Sequence, residues 1–267
     1  MFDFTDKVVI VTGGNKGIGE NFAMNFAAAG AKVAVWGRTH ADNEKVAAQI
    51  VANGGIAVPM RIDVSKQDQV EAGVAAVLDA FGGRIDILIN NAGIMSKVVD
   101  ENYPAESPEE WRKVIDVDLT GSYICAWAVM PVMRKQGFGR IINIASIAGK
   151  KIAVARAVSY SSAKAGVIGL TRHLAMEGGA FGITANAICP GGTLTDMLRS
   201  ITTPEGLADR ETKIPTGRLA TPQDMSNLAM FLASDLAEQI TGQAIDVDGG
   251  QLIYWVDRDT YFKGLAD

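Results

Sequence analysis

Residues 7–19 read Lys7-Val8-Val9-Ile10-Val11-Thr12-Gly13-Gly14-Asn15-Lys16-Gly17-Ile18-Gly19. The run Lys7–Val11 is apolar on consecutive positions, as expected of a strand covered on both faces. It passes directly into a glycine-rich turn that opens a segment of helical period. Glycines let a backbone turn tightly and approach a phosphate, and a helix start offers unpaired N–H groups with partial positive charge. Strand, glycine turn and helix in that order open a βαβ unit, so this stretch predicts a parallel α/β sheet with a nucleotide at its edge.

The rest of the chain repeats the alternation. Strands are expected at Lys7–Val11, Lys32–Trp36, Ala57–Ile62, Asp86–Asn90, Arg140–Ala145, Thr184–Ile188 and Ala244–Val247. Helices are expected at Gly17–Ala29, Asp42–Ala52, Gln67–Phe81, Pro108–Arg134, Tyr160–Gly178 and Pro222–Ser234. Pro108 and Pro222 each follow a Ser or Thr, the arrangement of an N-cap and a first-turn proline. The fold class is therefore α/β, a Rossmann-type doubly wound parallel sheet of about seven strands with helices on both faces. No linker, repeat or low-complexity tract divides it, so residues 1–267 are expected to form a single domain. The loosest stretch is Thr193–Pro215.

Composition narrows the function. The 267 residues are 48% apolar and 21% charged, enough for a large core, which excludes disordered and disulfide-stapled classes. A net charge of −5 disfavours nucleic acid as a partner. The two histidines, His40 and His173, show no ligand spacing, so no metal site is expected. Two cysteines, Cys125 and Cys189, fit a reducing compartment. Met1–Lys7 lacks the apolar core of a secretory leader, and the uncharged stretches Leu119–Met133 and Gly178–Thr195 are too short or too polar to span a bilayer. A cytoplasmic protein with no membrane partner is expected.

The second strand ends in Trp36-Gly37-Arg38-Thr39. Sites for NAD place a carboxylate there for the ribose hydroxyls, whereas a 2′-phosphate needs a basic group. Arg38, with Lys16 from the glycine loop, selects NADP(H) over NAD(H). Further along, Tyr160 and Lys164 stand four apart on one helical face. A free phenol, with a pKa of ~10, is a poor proton donor or acceptor near neutrality. A neighbouring ammonium favours the phenolate and lowers that value. Ser146, just past a strand, could bond a substrate oxygen. Taken singly, such a pair or such a serine is commonly surface decoration.

Together these residues resemble the short-chain dehydrogenase/reductase family in its shorter single-domain branch. The resemblance rests on TGGNKGIG (Thr12–Gly19), Asp63-Val64, NNAG (Asn90–Gly93), NIASIAG (Asn143–Gly149), YSSAK (Tyr160–Lys164), NAICPGGTLT (Asn186–Thr195) and ITGQAIDVDGG (Ile240–Gly250), in the family's order. It implies Tyr160 as general acid in carbonyl reduction and base in alcohol oxidation, Lys164 binding the nicotinamide ribose, and Ser146 polarising the substrate oxygen. It implies dinucleotide contacts from Gly13, Asn15, Lys16, Gly17, Ile18, Gly19 and Arg38, with Asp63 and Val64 at the adenine. Asn90, Ala92 and Gly93 would serve the adenosine ribose and central strand, and Pro190, Gly191, Thr193 and Thr195 the carboxamide. One position departs: Asp118 stands where the family usually carries an Asn whose main-chain carbonyl joins the lysine's water relay. A carboxylate there is expected to alter the pH profile.

The implied function is NADPH-dependent reduction of a ketone, polyol or keto-sugar, with the reverse oxidation. The alternative is a 3-oxoacyl-thioester (ACP or CoA) reductase. Members that dock an acyl carrier protein tend to be basic near the positions of Gly137 and Phe181, and neither is basic here. A second alternative, a silent nucleotide-binding scaffold, would need a damaged Ser–Tyr–Lys set. A homotetramer is implied, with Thr193–Pro215 as substrate lid and the aromatic tail Gln251–Asp267 packing across a subunit interface.

Overall fold

Val8–Thr12 forms strand β1, every residue of it buried. The computed structural model describes residues 2–95, 106–151, 158–199 and 202–253. After β1 come α1 (Gly17–Ala28), β2 (Lys32–Gly37), α2 (His40–Ala52), β3 (Ile56–Arg61), α3 (Gln67–Ala80) and β4 (Ile87–Asn90). The second half runs α4 (Pro108–Ile115), α5 (Gly121–Gln136), β5 (Gly139–Ile144), α6 (Val158–Gly178), β6 (Ile183–Pro190), α7 (Asp196–Arg199), α8 (Pro204–Thr212), α9 (Pro222–Ala233) and β7 (Ala244–Val247). The seven strands are parallel, in the order β3-β2-β1-β4-β5-β6-β7.

The consecutive apolar runs are explained by two cores. Val9, Val11, Val33, Val35, Ile87 and Ile89 face one side, against Phe22 and Phe26 of α1 and Met225 and Ala229 of α9. Val8, Ile10, Ala34, Trp36, Leu88 and Ile141 face the other, against Val70, Val74 and Val77 of α3 and Cys125, Val129 and Met133 of α5. Alternate residues of each strand point to opposite faces, and helices cover both, so the central strands are apolar on consecutive positions.

Two local readings change. The helix expected over Pro108–Arg134 is interrupted: Asp116–Thr120 takes a wider π-helical turn between α4 and α5. Its end is fixed by packing, because a Cβ on Gly121 would lie 2.7 Å from a Val64 methyl. The stretch Thr193–Pro215, read as loose, contains α7 and α8. Thr203 caps α8 by accepting the Gly206 N–H, and Leu198, Ile214 and Leu219 form a small core of their own. The expectation for the aromatic tail falls largely on residues 254–267, outside the described residues. Among the described residues no helix is long and apolar enough to cross a membrane, and no group of three or more His, Cys, Asp or Glu could hold a metal ion.

Candidate active site

The strand order reverses direction between β1 and β4, and in such sheets ligands bind over the carboxyl ends of the strands at that point. The groove there is lined by Gly13, Asn15, Lys16, Gly37, Arg38, Thr39, Asp42, Ile62, Asp63, Val64, Ala92, Gly93, Ile94 and Val117. It gathers Gly13, Asn15, Lys16, Arg38, Asp63, Val64, Ala92 and Gly93 from four separate stretches of chain.

Backbone makes most of this end. Gly13 (φ 62°) and Gly17 (φ 57°) are left-handed, a conformation side chains rarely adopt. Gly19 serves packing, since a Cβ there would collide with the Gly13 carbonyl. Ile18 lies beside it in the first turn of α1. Lys16 is the extended residue before α1, and its side chain makes no capping bond, so the first N–H groups of the helix are left for an anion. Thr39 stands the same way before α2, next to Arg38. Asp63 Oδ1 accepts from the Ser65 N–H (3.0 Å) and hydroxyl (2.8 Å), which fixes the carboxylate beside the groove. These features fit a dinucleotide: two helix N-termini and two exposed cations for its phosphates, and a fixed carboxylate for its base.

Asn90 is placed differently from its neighbours in the motif. Its amide donates to the Ser122 carbonyl (3.1 Å) and to Asn143 Oδ1 (2.9 Å), so it ties β4 to α5 and β5 from beneath the groove. Sequence reasoning passed over Thr12 and Asn91. The Thr12 hydroxyl accepts the N–H groups of Asn91 and Ala92 (both 3.0 Å), and the Asn91 amide returns to the Thr12 carbonyl (3.0 Å). Both lie inside quoted motifs, and their spacing was the available signal. Asp42, on the first turn of α2, was also missed; it puts a carboxylate in the groove.

The reaction end is assembled from side chains. Ser146 follows β5, and its Oγ accepts the Ala148 N–H (3.0 Å), which leaves its own proton to be donated elsewhere. Gly149 then packs onto α6: a Cβ there would lie 2.6 Å from the backbone carbon of Lys164. This close approach brings the Ser146 turn against the helix carrying Tyr160 and Lys164. Lys164 Nζ is 5.5 Å from the Tyr160 ring centroid, donates to the Ile144 carbonyl (3.0 Å) and stands 3.2 Å from Asp118 Oδ2. Both members of that ion pair are buried. Burial pushes the Asp118 carboxyl upward against the pull of Lys164 and the Ile94 N–H. Burial alone would lower Lys164, but the Asp118 carboxylate and Tyr160 outweigh it and hold the ammonium form.

A residue far away in sequence steadies this helix. Glu106 accepts both the N–H (2.9 Å) and the hydroxyl (3.0 Å) of Ser159, capping the start of α6 beside Tyr160. Nothing in the spacing of 53 residues signals that contact. Pro190 ends β6, and the Gly191 N–H donates to the Val247 carbonyl (3.1 Å). Thr193 Oγ1 donates to the Gly191 carbonyl (3.1 Å). The Thr195 side chain lies 3.7 Å from where a Gly17 Cβ would stand, so the start of the Thr193–Pro215 stretch meets the glycine turn. Of the expected residues, Gly13, Asn15, Lys16, Arg38, Asp63, Val64, Ala92 and Gly93 line the groove, while Tyr160, Lys164 and Asp118 meet beside it where the Ser146 turn packs on α6.

The family model described as Enoyl-(Acyl carrier protein) reductase matches residues 13–251. Acetoacetyl-CoA reductase of Shinella zoogloeoides is 43% identical over 247 residues, covering 92% of this chain and 98% of that protein. A 3-oxoacyl-[acyl-carrier-protein] reductase of Synechocystis sp. is 40% identical over 256 residues, covering 95% and 100%. Among solved structures, levodione reductase superposes with a TM-score of 0.89 at 33% identity, covering 94% of this chain and 100% of that one.

Proposed function

The chain belongs to the short-chain dehydrogenase/reductase family, and from that premise we propose that it reduces the 3-keto group of an acyl thioester with NADPH and oxidises the 3-hydroxy product in reverse. That it is an oxidoreductase of carbonyl and hydroxyl groups using a nicotinamide dinucleotide follows from the family. The observation that carries the thioester is the near-full-length likeness to two reductases named for such substrates. It outweighs the simple ketone, polyol or keto-sugar expected from sequence.

Gly137 and Phe181 do not speak against a carrier-bound substrate. The Arg134 guanidinium lies 4.0 Å over the Phe181 ring, and Arg140 (4.3 Å) and Lys7 (4.2 Å) lie over Phe138, next to Gly137. Cations therefore stand at both places although neither residue is itself basic. A second reading, reduction of a free ketone, is favoured by the structural likeness to levodione reductase.

NADP(H) is supported by the strand end itself. A Cβ on Gly37 would lie 2.5 Å from Asn43 Oδ1 and 2.7 Å from Asn15 Nδ2, so no carboxylate fits at that residue, while Arg38 and Lys16 line the groove. The bound dinucleotide would supply the hydride. Gly13, Lys16, Arg38 and the α1 N-terminus would hold its phosphates, and Thr193 and Thr195 its carboxamide end. At the substrate, the Tyr160 phenol gives its proton to the carbonyl oxygen, and the Ser146 hydroxyl donates a hydrogen bond to the same oxygen. Lys164 supplies the charge that lets the phenol part with that proton. Thr193–Pro215 would act as the lid over the acyl chain.

Tyr123 and Trp127, one turn apart on α5 and both about half exposed, support a homo-oligomer that covers them. The free, buried Cys125 and Cys189 support a cytoplasmic location. The test is kinetic. Wild-type protein should oxidise NADPH on addition of acetoacetyl-CoA, and Tyr160→Phe should lose this by on the order of a thousandfold. Dinucleotide left unconsumed by the wild type, with NADPH and NADH alike, overturns the reading.

A further inference from the structure

We propose that Asp118 is a positioning residue that sets the pH at which Tyr160 gives up its proton, by standing as the buried counter-charge of Lys164. The inference rests on the reading of Tyr160 as proton donor. It concerns the one carboxylate that the structure places against the Lys164 ammonium among the described residues.

Three observations carry it. Asp118 is wholly buried; its Oδ1 accepts the Ile94 N–H (2.8 Å), and its Oδ2 faces Lys164 at 3.2 Å with no hydrogen-bond partner of its own among the described residues. Gly93 makes the room, since a Cβ there would lie 3.0 Å from Oδ2 and 3.3 Å from Lys164 Nζ. The π-helical turn Asp116–Thr120 places the residue, and the Ser122 hydroxyl donates to the Asp118 carbonyl (2.9 Å) to fasten it. Such turns inside helices recur at functional positions.

An ammonium has three N–H donors. Here one goes to the Ile144 carbonyl, and the Asp118 carboxylate stands 3.2 Å from the nitrogen as its facing charge. Among the described residues the charged surroundings are few. Tyr160 faces Lys164 from its own helix, Asp118 from the π-helical turn, and Cys189 from β6; burial pushes the Cys189 thiol up to about 11, which leaves it neutral. The Lys150–Asp246 pair (2.6 Å) lies beyond Cys189, and Glu106 holds the start of α6 through Ser159. A lone ammonium beside a phenol favours the phenolate, and a carboxylate on its far side cancels part of that field. The ion pair therefore keeps Tyr160 protonated to higher pH than Lys164 alone would, which suits a donor working in the direction of reduction.

Asp118→Asn keeps the shape and the acceptor for the Ile94 N–H while removing the charge. Tyr160 is one of five tyrosines, so its titration is read as the difference in ultraviolet tyrosinate absorbance between each protein and its Tyr160→Phe counterpart, without dinucleotide. The variant should titrate about one pH unit lower than the wild type. The falling alkaline limb of kcat/KM for acetoacetyl-CoA with NADPH should move down with it. A Tyr160 titration that stays in place, or moves up, in a variant with wild-type circular dichroism overturns the proposal even if kcat falls. Asp118→Ser, which also removes the charge, gives the same reading if the Asn variant does not fold. A shift in the titration without turnover of acetoacetyl-CoA sinks only the substrate assignment; turnover without the shift sinks only this inference.

Discussion

The proposed dinucleotide end of the groove and the proposed reaction end beside it are made of different material. The first is backbone: left-handed glycines, two uncapped helix starts and the ends of parallel strands. The second is a handful of side chains from β5, α6 and the π-helical turn, held by one buried ion pair and one close glycine contact. A site of backbone can be recognised in any chain that spaces its glycines correctly. A site of side chains exists only once distant segments have met, so its chemistry depends on neighbours that carry no local signature.

This contrast can be broken most severely at Lys164. Lys164→Ala should lower kcat by on the order of a hundredfold or more and destabilise the fold by about 3 kcal/mol, because it strands a buried carboxylate. The sign of the pH dependence follows from the direction of the Asp118 shift. Burial raises that carboxyl, so in the variant the penalty should shrink as pH falls and Asp118 takes up a proton. Adding Asp118→Asn to Lys164→Ala should restore most of the stability and none of the turnover, read by chemical denaturation and steady-state kinetics. No recovery in the double variant would mean that the ion pair is not what Lys164 contributes to the fold.

A smaller effect sharpens the other end. Arg38→Ala should raise KM for NADPH by roughly 10- to 100-fold, the worth of a charge-assisted contact, with little change for NADH or in kcat. Equal losses with both dinucleotides would move the 2′-phosphate away from Arg38.

The smallest effect lies outside the groove and serves as a control. Arg218 holds the Asp224 carboxyl well below the usual carboxylate range, and Asp224 closes the capping box of α9 with Thr221. Its contribution is present above the unfolded value and lost as pH falls through the depressed one. Asp224→Asn should cost about 1 kcal/mol near neutrality and progressively less in acid, with kinetics unchanged. A change in kcat would tie α9 to the reaction end.

The same division decided what could be read from the chain alone. The strands were legible because helices on both faces of the sheet favour apolar residues at consecutive positions, as in Val8–Val11 and Ile87–Ile89. The groove residues Gly13, Asn15, Lys16 and Arg38 were legible through glycine spacing and the lack of a carboxylate in Trp36–Thr39. The break at Asp116–Thr120 was not, because the helical period continues through it and the widened turn answers to Val64 and Lys164, both distant in sequence. Glu106 on Ser159 and Arg134 over Phe181 were hidden for the same reason. The helices of Thr193–Pro215 escaped because α7 is a single turn and α8 is too polar to show an apolar stripe.

The central claim, reduction of a 3-oxoacyl thioester with NADPH, is tested most directly by a ratio of kcat/KM values in the wild-type protein. Acetoacetyl-CoA and a simple 3-keto ester without the coenzyme are compared, each with saturating NADPH. The thioester is predicted to be preferred by tenfold or more, on the order of 1.4 kcal/mol of transition-state binding. Equal or greater efficiency with the simple ester would contradict it and return the chain to the reductases of free ketones.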